Sequence, residues 1–224
     1  MATVNGTRKE PDYTAERRGM IRAQLQRRGI TDPRVLQAMR EVPRHAFVPP
    51  EWRREAYSDR PLPIANDQTI SQPYMVAIMT QSLMLQGHER VLEVGTGSGY
   101  QAAVLSRLVA QVYTIEYFPD LAKRARALLH RLEYTNIQVS TGDGGLGLPA
   151  YAPYHGILVA AAAPHVPQSL LGQLAEGGHL VIPVGSITSQ ELLIITRQGD
   201  DYPQARSVSC RFVPLLGQEG WADA

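Results

Sequence analysis

The sequence is poor in cysteine and in long apolar runs. Cys210 is the only cysteine among 224 residues, so no internal disulfide can form, which is typical of a reducing compartment. The longest wholly apolar run, Ile157 to Ala163, is far shorter than the roughly 20 residues that a membrane-spanning helix needs. The first 20 residues are polar and charged and lack the apolar stretch of a signal peptide. We therefore expect a cytoplasmic protein that does not insert into a membrane.

An excess of charge of one sign is also lacking. The chain has 22 lysines and arginines against 21 aspartates and glutamates, a formal net charge of +1. That balance argues against a generally basic nucleic-acid-binding surface. The six histidines form no His-x-x-x-His pair, so we expect no metal site. Ser98 does not lie in the G-x-S-x-G pattern of a hydrolase nucleophile, because position 96 is threonine.

From Glu89 onwards, short apolar segments alternate with amphipathic ones. The apolar segments predict strands at 90–94, 111–116, 137–140, 156–160, 178–184, 192–196 and 207–213. Helices are predicted between them at 100–109, 119–132 and 167–174, and before them at about 14–28, 33–42, 51–56 and 72–83. Because parallel neighbours need helical crossovers, this alternation predicts a doubly wound, Rossmann-like α/β sheet of about seven strands. The last two strands have no helix between them, which predicts an antiparallel C-terminal edge.

A glycine-rich loop follows the first predicted core strand. Gly95, Gly97 and Gly99 allow the backbone to turn tightly and approach a ligand, and the next helix directs free N–H groups toward it. The spacing is G-x-G-x-G, with Tyr100 where the dinucleotide fingerprint has its last glycine. Glu116 lies 19 residues after Gly97, where a carboxylate can accept hydrogen bonds from ribose hydroxyls.

Two further acidic positions refine the expected ligand. Asp143 and Gly144 follow the third predicted strand, at the same carboxyl edge where open α/β sheets bind ligands. Together with the loop and Glu116, they predict a nucleoside site. Glu93, just before the loop, would repel a pyrophosphate but suits the cationic amino and sulfonium groups of S-adenosyl-L-methionine. The pattern therefore favours a methyltransferase over a nicotinamide enzyme.

Several blocks of the sequence resemble those of one known family. The most specific is Gln68–Met75 (QTISQPYM), which is not shared by methyltransferases at large, and Leu92–Gln101 (LEVGTGSGYQ) resembles the family's first cofactor motif. Other similar blocks are Pro61–Ile64, Gly142–Gly144, Ala161–Pro164, Leu180–Gly185 and Phe212–Leu215. From about Met20 to Gly217, the chain resembles the protein-L-isoaspartate (D-aspartate) O-methyltransferases, whose fold is that of class I S-adenosylmethionine-dependent methyltransferases.

The resemblance implies a reaction and a set of site residues. A methyl group passes from S-adenosyl-L-methionine, leaving S-adenosyl-L-homocysteine, to the free carboxylate of an isoaspartyl residue in a damaged protein. The ester then collapses to a succinimide, which begins repair. Ser71 is implied as the active-site hydroxyl, and Thr69, Ile70 and Gln72 as substrate-binding residues. The implied cofactor-binding residues are Glu93, Gly95, Thr96, Gly97 and Ser98 around the methionine end, Glu116 at the ribose, and Asp143 with Gly144 at the adenine.

This chemistry needs few polar groups. The acceptor carboxylate is already ionised at neutral pH, so no general base is required. The site must hold one oxygen in line with the methyl group and exclude water from it. The Ser71 hydroxyl could hold the acceptor by a hydrogen bond. It could instead cap the helix that begins at Gln72-Pro73, and the two roles are compatible.

Some positions depart from the family pattern. The family commonly has glycines where this chain has Ala65-Asn66-Asp67, beside the expected substrate entrance, so peptide selectivity could differ. His155 replaces an aspartate at the fourth core strand, and His165 replaces a common glutamate. We favour a supporting role for that aspartate at the sheet edge, which would make His155 a tolerated change.

We interpret residues 13–217 as a single domain. It comprises a helical, substrate-side segment (13–88) and a cofactor-binding core (89–217), with tails at 1–12 and 218–224. The expected partners are isoaspartyl-containing peptides and proteins, not nucleic acids or membranes, and the expected state is a monomer without metal. Two other functions stay open from the sequence alone: methylation of a carboxylate in a dedicated peptide, and cofactor binding without catalysis.

Overall fold

A seven-stranded sheet organises the computed structural model, which describes residues 12–222. The strands in chain order are β1 (Leu62–Pro63), β2 (Thr69–Ile70), β3 (Arg90–Val94), β4 (Gln111–Glu116), β5 (Ile137–Thr141), β6 (Tyr154–Val159), β7 (Leu174–Gly185), β8 (Gln190–Thr196) and β9 (Gln204–Cys210). Strands β1 and β2 form a separate hairpin, and the large sheet has the order β5-β4-β3-β6-β7-β8-β9. Strands β3 to β7 are parallel, whereas β8 and β9 are antiparallel. The predicted α/β sheet with an antiparallel C-terminal edge is therefore confirmed.

The helices lie between these strands and before them. The α-helices in the described residues are α1 (Thr14–Gly19), α2 (Pro33–Glu41), α3 (Pro73–Ser82), α4 (Tyr100–Ser106), α5 (Pro119–Arg131) and α6 (Gln168–Leu171). Short 3₁₀-helices cover Gln26–Arg28, Arg44–Phe47, Pro50–Glu55, Gly144–Leu146 and Pro149–Tyr151, and Met20–Leu25 is a π-helix. Within residues 12–222, no helix is long and apolar enough to cross a membrane.

Four predicted helices differ from those in the structure. The helix predicted at 100–109 ends at Ser106. The helix predicted at 14–28 is divided into α1, a π-helical turn and a 3₁₀ turn, and it ends at Gly29, whose φ of 88° is left-handed. The helix predicted at 51–56 is 3₁₀, in a segment where repeated prolines remove backbone donors. The helix predicted at 167–174 ends at Leu171, because β7 starts at Leu174 and is longer than the predicted strand at 178–184.

The strand order changes direction next to β3. The chain runs from β3 outwards to β4 and β5, and then returns to place β6 on the other side of β3. Val94 and Val159 are paired at the ends of β3 and β6, so Gly95 and Ala160 begin the two diverging connections. Open α/β sheets bind their ligands at such a switch point, outside the carboxyl ends of the strands. The topology thus places the glycine loop at the expected binding edge.

Apolar side chains cover both faces of the sheet. Along β3, Val91 packs into the core beneath the N-terminal helices, whereas Leu92 and Val94 pack into the core on the other face. In β6, Leu158 packs into the same core as Val91, and Ile157 packs into the core on the other face. This alternation follows from the two-residue period of a strand, and burial on both faces explains why the inner strands β3 and β6 are rich in apolar residues.

The N-terminal segment is joined to the core at the glycine-loop helix. Arg44 is fully buried, and its guanidinium lies 4.9 Å from the centre of the Tyr100 ring, at the first residue of α4. Its Nε donates a 2.7 Å hydrogen bond to the Ala56 carbonyl. Burial lowers the pKa of Arg44 to about 10, so the side chain stays charged at neutral pH. The cation–π contact therefore holds the segment before α3 against the base of the site.

The β1–β2 hairpin was not predicted from the sequence. Its turn contains Asn66 and Asp67, with φ of 60° and 54°, and Gln68 N donates to the Ala65 carbonyl. Two successive positive φ values are typical of a type I′ hairpin turn, and asparagine and aspartate tolerate them better than most residues. This turn occupies the stretch in which the resembled family commonly has glycines. The hairpin delivers Thr69 and Ile70 to the binding edge.

Two other sequence features have clear structural positions. His155 Nδ1 accepts a 3.2 Å hydrogen bond from Arg90 N, at the ends of β6 and β3 that lie away from the glycine loop. Residues 218–222, predicted as part of a tail, lie against the core: Gln218 N donates to Asp143, and Ser169 N and Oγ donate to Glu219. The predicted tail at 1–12 and positions 223–224 lie outside the described residues, except for Asp12.

Candidate active site

A large cleft opens at the carboxyl ends of β3, β4 and β6. It encloses about 840 Å³, including its open mouth. Nine of the residues singled out from the sequence line it: Thr69, Ile70, Ser71, Gly95, Thr96, Gly97, Ser98, Glu116 and Gly144. The sheet topology explains this convergence, since parallel strands end at one common edge.

The glycine loop forms one wall of the cleft. Gly95, Gly97 and Gly99 have φ values of 90°, 52° and 87°, a region that residues with a side chain seldom adopt. Gly99 N donates to the Thr96 carbonyl at 2.8 Å, which closes the turn before α4. A side chain at Gly95 would also come within 3.6 Å of the Ala160 Cβ across the switch point. The glycines thus allow the tight turn that forms this wall of the cleft.

Glu116 closes the same wall from the end of β4. One carboxylate oxygen accepts a 2.8 Å hydrogen bond from Gly97 N, and the other accepts a 3.1 Å bond from Phe118 N. Each carboxylate oxygen has a second lone pair, so the group can accept from two further donors. Glu116 is only 5% exposed, and it is the single charged residue among those lining the cleft in the described part of the chain.

Glu93 lies behind the loop and does not line the cleft. It is fully buried, and Thr114 Oγ1 donates to its Oε2 at 2.5 Å. Thr114 Oγ1 lies 2.6 Å from Thr96 Oγ1, which connects the carboxyl group to the loop. Burial raises the pKa of Glu93 to about 8, and the nearby charge of Glu116 acts in the same direction. The implied contact of Glu93 with the methionine end stays a prediction, and its observed contact is with the threonine pair.

Asp143 and Gly144 have different positions at the end of β5. Gly144 lines the cleft, and a Cβ there would lie 2.4 Å from Val94 Cγ1, so only glycine fits. Asp143 is not among the lining residues. Its two carboxylate oxygens accept hydrogen bonds from Gly145 N at 2.9 Å and Gln218 N at 2.7 Å. The aspartate therefore fixes the turn around Gly144 and holds the C-terminal segment, while its implied contact with adenine stays a prediction.

A smaller cavity of about 340 Å³ adjoins the large cleft. Four residues line both: Thr69, Ser71, Ala160 and Val213. The smaller cavity is also lined by Gln72, one of the implied substrate-binding residues, and by Arg211. Ile70 lines only the large cleft. We refer to the four shared residues as the junction and to the smaller space as the outer cavity.

The Ser71 hydroxyl is available at this junction. Ser71 is half-buried, and within residues 12–222 its hydroxyl makes no hydrogen bond. Helix α3 has Gln72 at its N-cap, and no side chain caps it there. The alternative capping role of Ser71 is therefore wrong in this structure, and the hydroxyl is left free to bind a ligand.

Some lining residues were not assigned a role from the sequence. Tyr117 and Phe118 follow Glu116 directly, so the same strand-end reasoning could have found them. Leu215 and Leu216 come after the last strand and reach the cleft because Leu215 N donates to the Ala162 carbonyl at 2.7 Å. No periodic pattern in the sequence indicates that the chain comes back to the cleft at these residues. No group of three or more potential metal ligands occurs within residues 12–222.

Comparisons with family models and with curated proteins both find the same family. The family model described as "Protein-L-isoaspartate(D-aspartate) O-methyltransferase" matches residues 15–220. A protein-L-isoaspartate O-methyltransferase from Methanoregula boonei is 54% identical over 92% of this chain and 95% of its own length. A protein of the same name from a Roseiflexus species is 57% identical over 94% of this chain and 96% of its own length.

Solved structures agree with these relatives. A protein-L-isoaspartate O-methyltransferase superposes with a TM-score of 0.80 at 28% identity, covering 91% of this chain and 66% of that one. A Plasmodium falciparum structure with the same assigned function, in complex with S-adenosyl-L-homocysteine, gives a TM-score of 0.78 at 25% identity. It covers 92% of this chain and 99% of that chain.

Proposed function

The chain belongs to the protein-L-isoaspartate(D-aspartate) O-methyltransferase family, and from this membership we propose how its own residues carry out the reaction. It is an enzyme that transfers a methyl group from S-adenosyl-L-methionine to the free carboxylate of an L-isoaspartyl residue, the first step of repair through a succinimide. The observation that carries our assignment of roles is the junction, where the large cleft and the outer cavity meet at Ser71.

The residues of the large cleft fit the cofactor. Glu116 has lone pairs free for two ribose hydroxyls. In the loop, the amides of Gly95, Gly97 and Gly99 already donate within the protein, which leaves those of Thr96 and Ser98, among the described residues, for a carboxylate. The lining contains one acidic residue and no lysine or arginine among the described residues, which suits a cationic sulfonium better than a pyrophosphate. When bound, the cofactor supplies an electrophilic methyl group on its sulfonium sulfur. We assign the ribose to Glu116 and the adenine to the turn at Gly144.

The acceptor is assigned to the junction. Because the isoaspartyl carboxylate is ionised at neutral pH, the enzyme needs to orient it, not deprotonate it. Ser71 can donate its free hydroxyl proton to one carboxylate oxygen and leave the other facing the methyl group. Thr69 and Val213 complete the junction walls, and the apolar groups around them limit water access to the attacking oxygen.

A labelled-methyl assay tests this assignment. Two synthetic peptides that differ only in an aspartyl or isoaspartyl linkage at one position are incubated with enzyme and labelled S-adenosyl-L-methionine. We expect base-labile methyl ester on the isoaspartyl peptide alone. Turnover on a different carboxylate, with none on the isoaspartyl peptide, would instead support an enzyme for a dedicated peptide. Binding without any ester would support a non-catalytic role.

Finer aspects are also proposed. The cleft and the outer cavity are both built from one chain, so we propose that the protein acts as a monomer. A single free cysteine and balanced charge support action in the cytoplasm on peptides and proteins, without nucleic acid. Light scattering at working concentrations tests the first proposal, and fractionation of cells tests the second.

A further inference from the structure

Arg211 gives the outer cavity a positive charge. It follows β9, its side chain is exposed, and it is the only charged residue lining the outer cavity among residues 12–222. Within that part of the chain it has no ion pair, hydrogen bond or ring contact. By contrast, Arg206 on β9 pairs with Glu191 at 2.7 Å. Arg211 therefore offers a complete set of guanidinium donors to a ligand in the outer cavity.

The backbone that carries Arg211 is held on both sides, and before it Cys210 is paired with Gln190 of β8. Phe212 N donates a 2.9 Å hydrogen bond to Gln190 Oε1, and the Gln190 side chain is buried, with 2% of the residue exposed. Further along, Ala162 N donates to the Val213 carbonyl at 2.7 Å. The backbone position of Arg211 relative to the junction is thus fixed by the sheet.

Arg211 lies outward of the position that the acceptor must take. To reach the methyl group, the isoaspartyl carboxylate has to lie at the junction, because only there do the two spaces share walls. Arg211 lines the outer cavity but not the large cleft. A group that binds Arg211 while the acceptor is in place is therefore a different part of the peptide.

A guanidinium selects that second group by its charge and shape. Its planar fork matches a carboxylate, to which it can donate two parallel hydrogen bonds. A neutral amide accepts fewer and weaker bonds, and a lysine or arginine side chain would be repelled. The residues next to the isoaspartyl group in the peptide are those that can reach the outer cavity at the same time.

We propose that Arg211 is a specificity-determining residue that binds the carboxylate of an aspartate or glutamate flanking the isoaspartyl group. This inference rests on the proposed function and adds a preference among its substrates. Since the contact forms outside the junction, it lowers KM for peptides with an acidic neighbour and leaves kcat unchanged.

Four synthetic isoaspartyl peptides test this preference. They differ only in having glutamate or glutamine at the position before, or at the position after, the isoaspartyl residue. For the wild-type enzyme at low salt, we expect a KM about two- to fivefold lower for the glutamate peptide in at least one of the two pairs, as for an exposed ion pair. We expect Arg211→Gln to remove that difference, and Arg206→Gln, a matched control in the strand just before Arg211, to retain it.

The outcomes separate this inference from the proposed function. Equal KM values within both pairs for the wild type, or a glutamate preference that persists in Arg211→Gln, would overturn the inference. If Arg211→Gln does not fold, the salt dependence of the wild type decides. Salt screens an exposed ion pair, so the difference in KM between the glutamate and glutamine peptides must become smaller at high salt. A difference in KM that is unchanged at high salt overturns the inference. Failure of the wild type to methylate any of the four peptides would instead contradict the proposed function.

Discussion

Replacing Glu116 with glutamine should weaken cofactor binding without unfolding the protein. The glutamine is nearly isosteric, but it lacks the charge and one of the two acceptor oxygens. A hydrogen bond to a charged group contributes about 1.5–3 kcal/mol. Loss of one such bond to a ribose hydroxyl corresponds to an increase of about 10- to 150-fold in Kd. Isothermal titration with S-adenosyl-L-homocysteine measures this directly.

The structure requires a control for the glycine loop. Glu116 also accepts hydrogen bonds from Gly97 N and Phe118 N, so the substitution could weaken binding by shifting the loop. Adenosine and 2′,3′-dideoxyadenosine, used as competitive inhibitors, separate the two effects. The wild type should prefer adenosine, and Glu116→Gln should lose that preference while binding the dideoxy compound almost as the wild type does. Equal weakening of both inhibitors would refute the assignment of the ribose to Glu116.

Three further substitutions test other parts of the site. Ser71→Ala should lower kcat roughly 10-fold or more, which corresponds to about 1.4 kcal/mol of transition-state stabilisation. The Kd for S-adenosyl-L-homocysteine should stay unchanged. If steady-state kinetics show equal turnover, Ser71 does not orient the acceptor. Gly144→Ala should destabilise the fold by about 1–3 kcal/mol in urea unfolding, because the new Cβ would overlap Val94, and an unchanged midpoint would show that this turn can relax. Burial raises the pKa of Glu93 to about 8, above its ordinary value of 4.5, so its contribution to stability is fully present below pH 4.5 and is lost as the pH rises through 8. Urea midpoints of the wild type should therefore fall relative to those of Glu93→Gln between about pH 5 and 8, and parallel curves over that range would contradict the buried, protonated state.

The strands and the binding edge were predictable because their signals are local. The strands Arg90–Val94 and Gln111–Glu116 have the predicted bounds, because their valine, leucine and isoleucine residues are typical of strands buried on both faces. The glycine loop was predictable for a similar reason, because its positive φ values restrict the residue types. Once the strands were parallel, their ends had to share one edge.

Other features depend on contacts between distant residues. The hairpin at β1 and β2 has only two residues in each strand, too few for a periodic pattern, and its turn uses Asn66 and Asp67 where glycine would be the clearer signal. The position of Arg211 depends on Gln190, which is 21 residues earlier and accepts from Phe212 N. Neither spacing nor composition reports that hydrogen bond.

Burial also decided which acidic residues line the cleft. Glu93, Glu116 and Asp143 all lie at the ends of strands, and the sequence could not distinguish their orientations. In the structure, only Glu116 lines the cleft, whereas Glu93 contacts Thr114 behind the loop and Asp143 accepts from the C-terminal segment. A strand's two faces are set by a one-residue step, so small differences in register change which carboxylate reaches a cavity.

The most direct test of the site is a crystal structure with S-adenosyl-L-homocysteine and an isoaspartyl peptide bound together. We predict that the cofactor sulfur and the acceptor carboxylate lie on opposite sides of the junction, with Ser71 Oγ within hydrogen-bonding distance of a carboxylate oxygen. A carboxylate bound elsewhere, with Ser71 directed away from both ligands, would contradict the account.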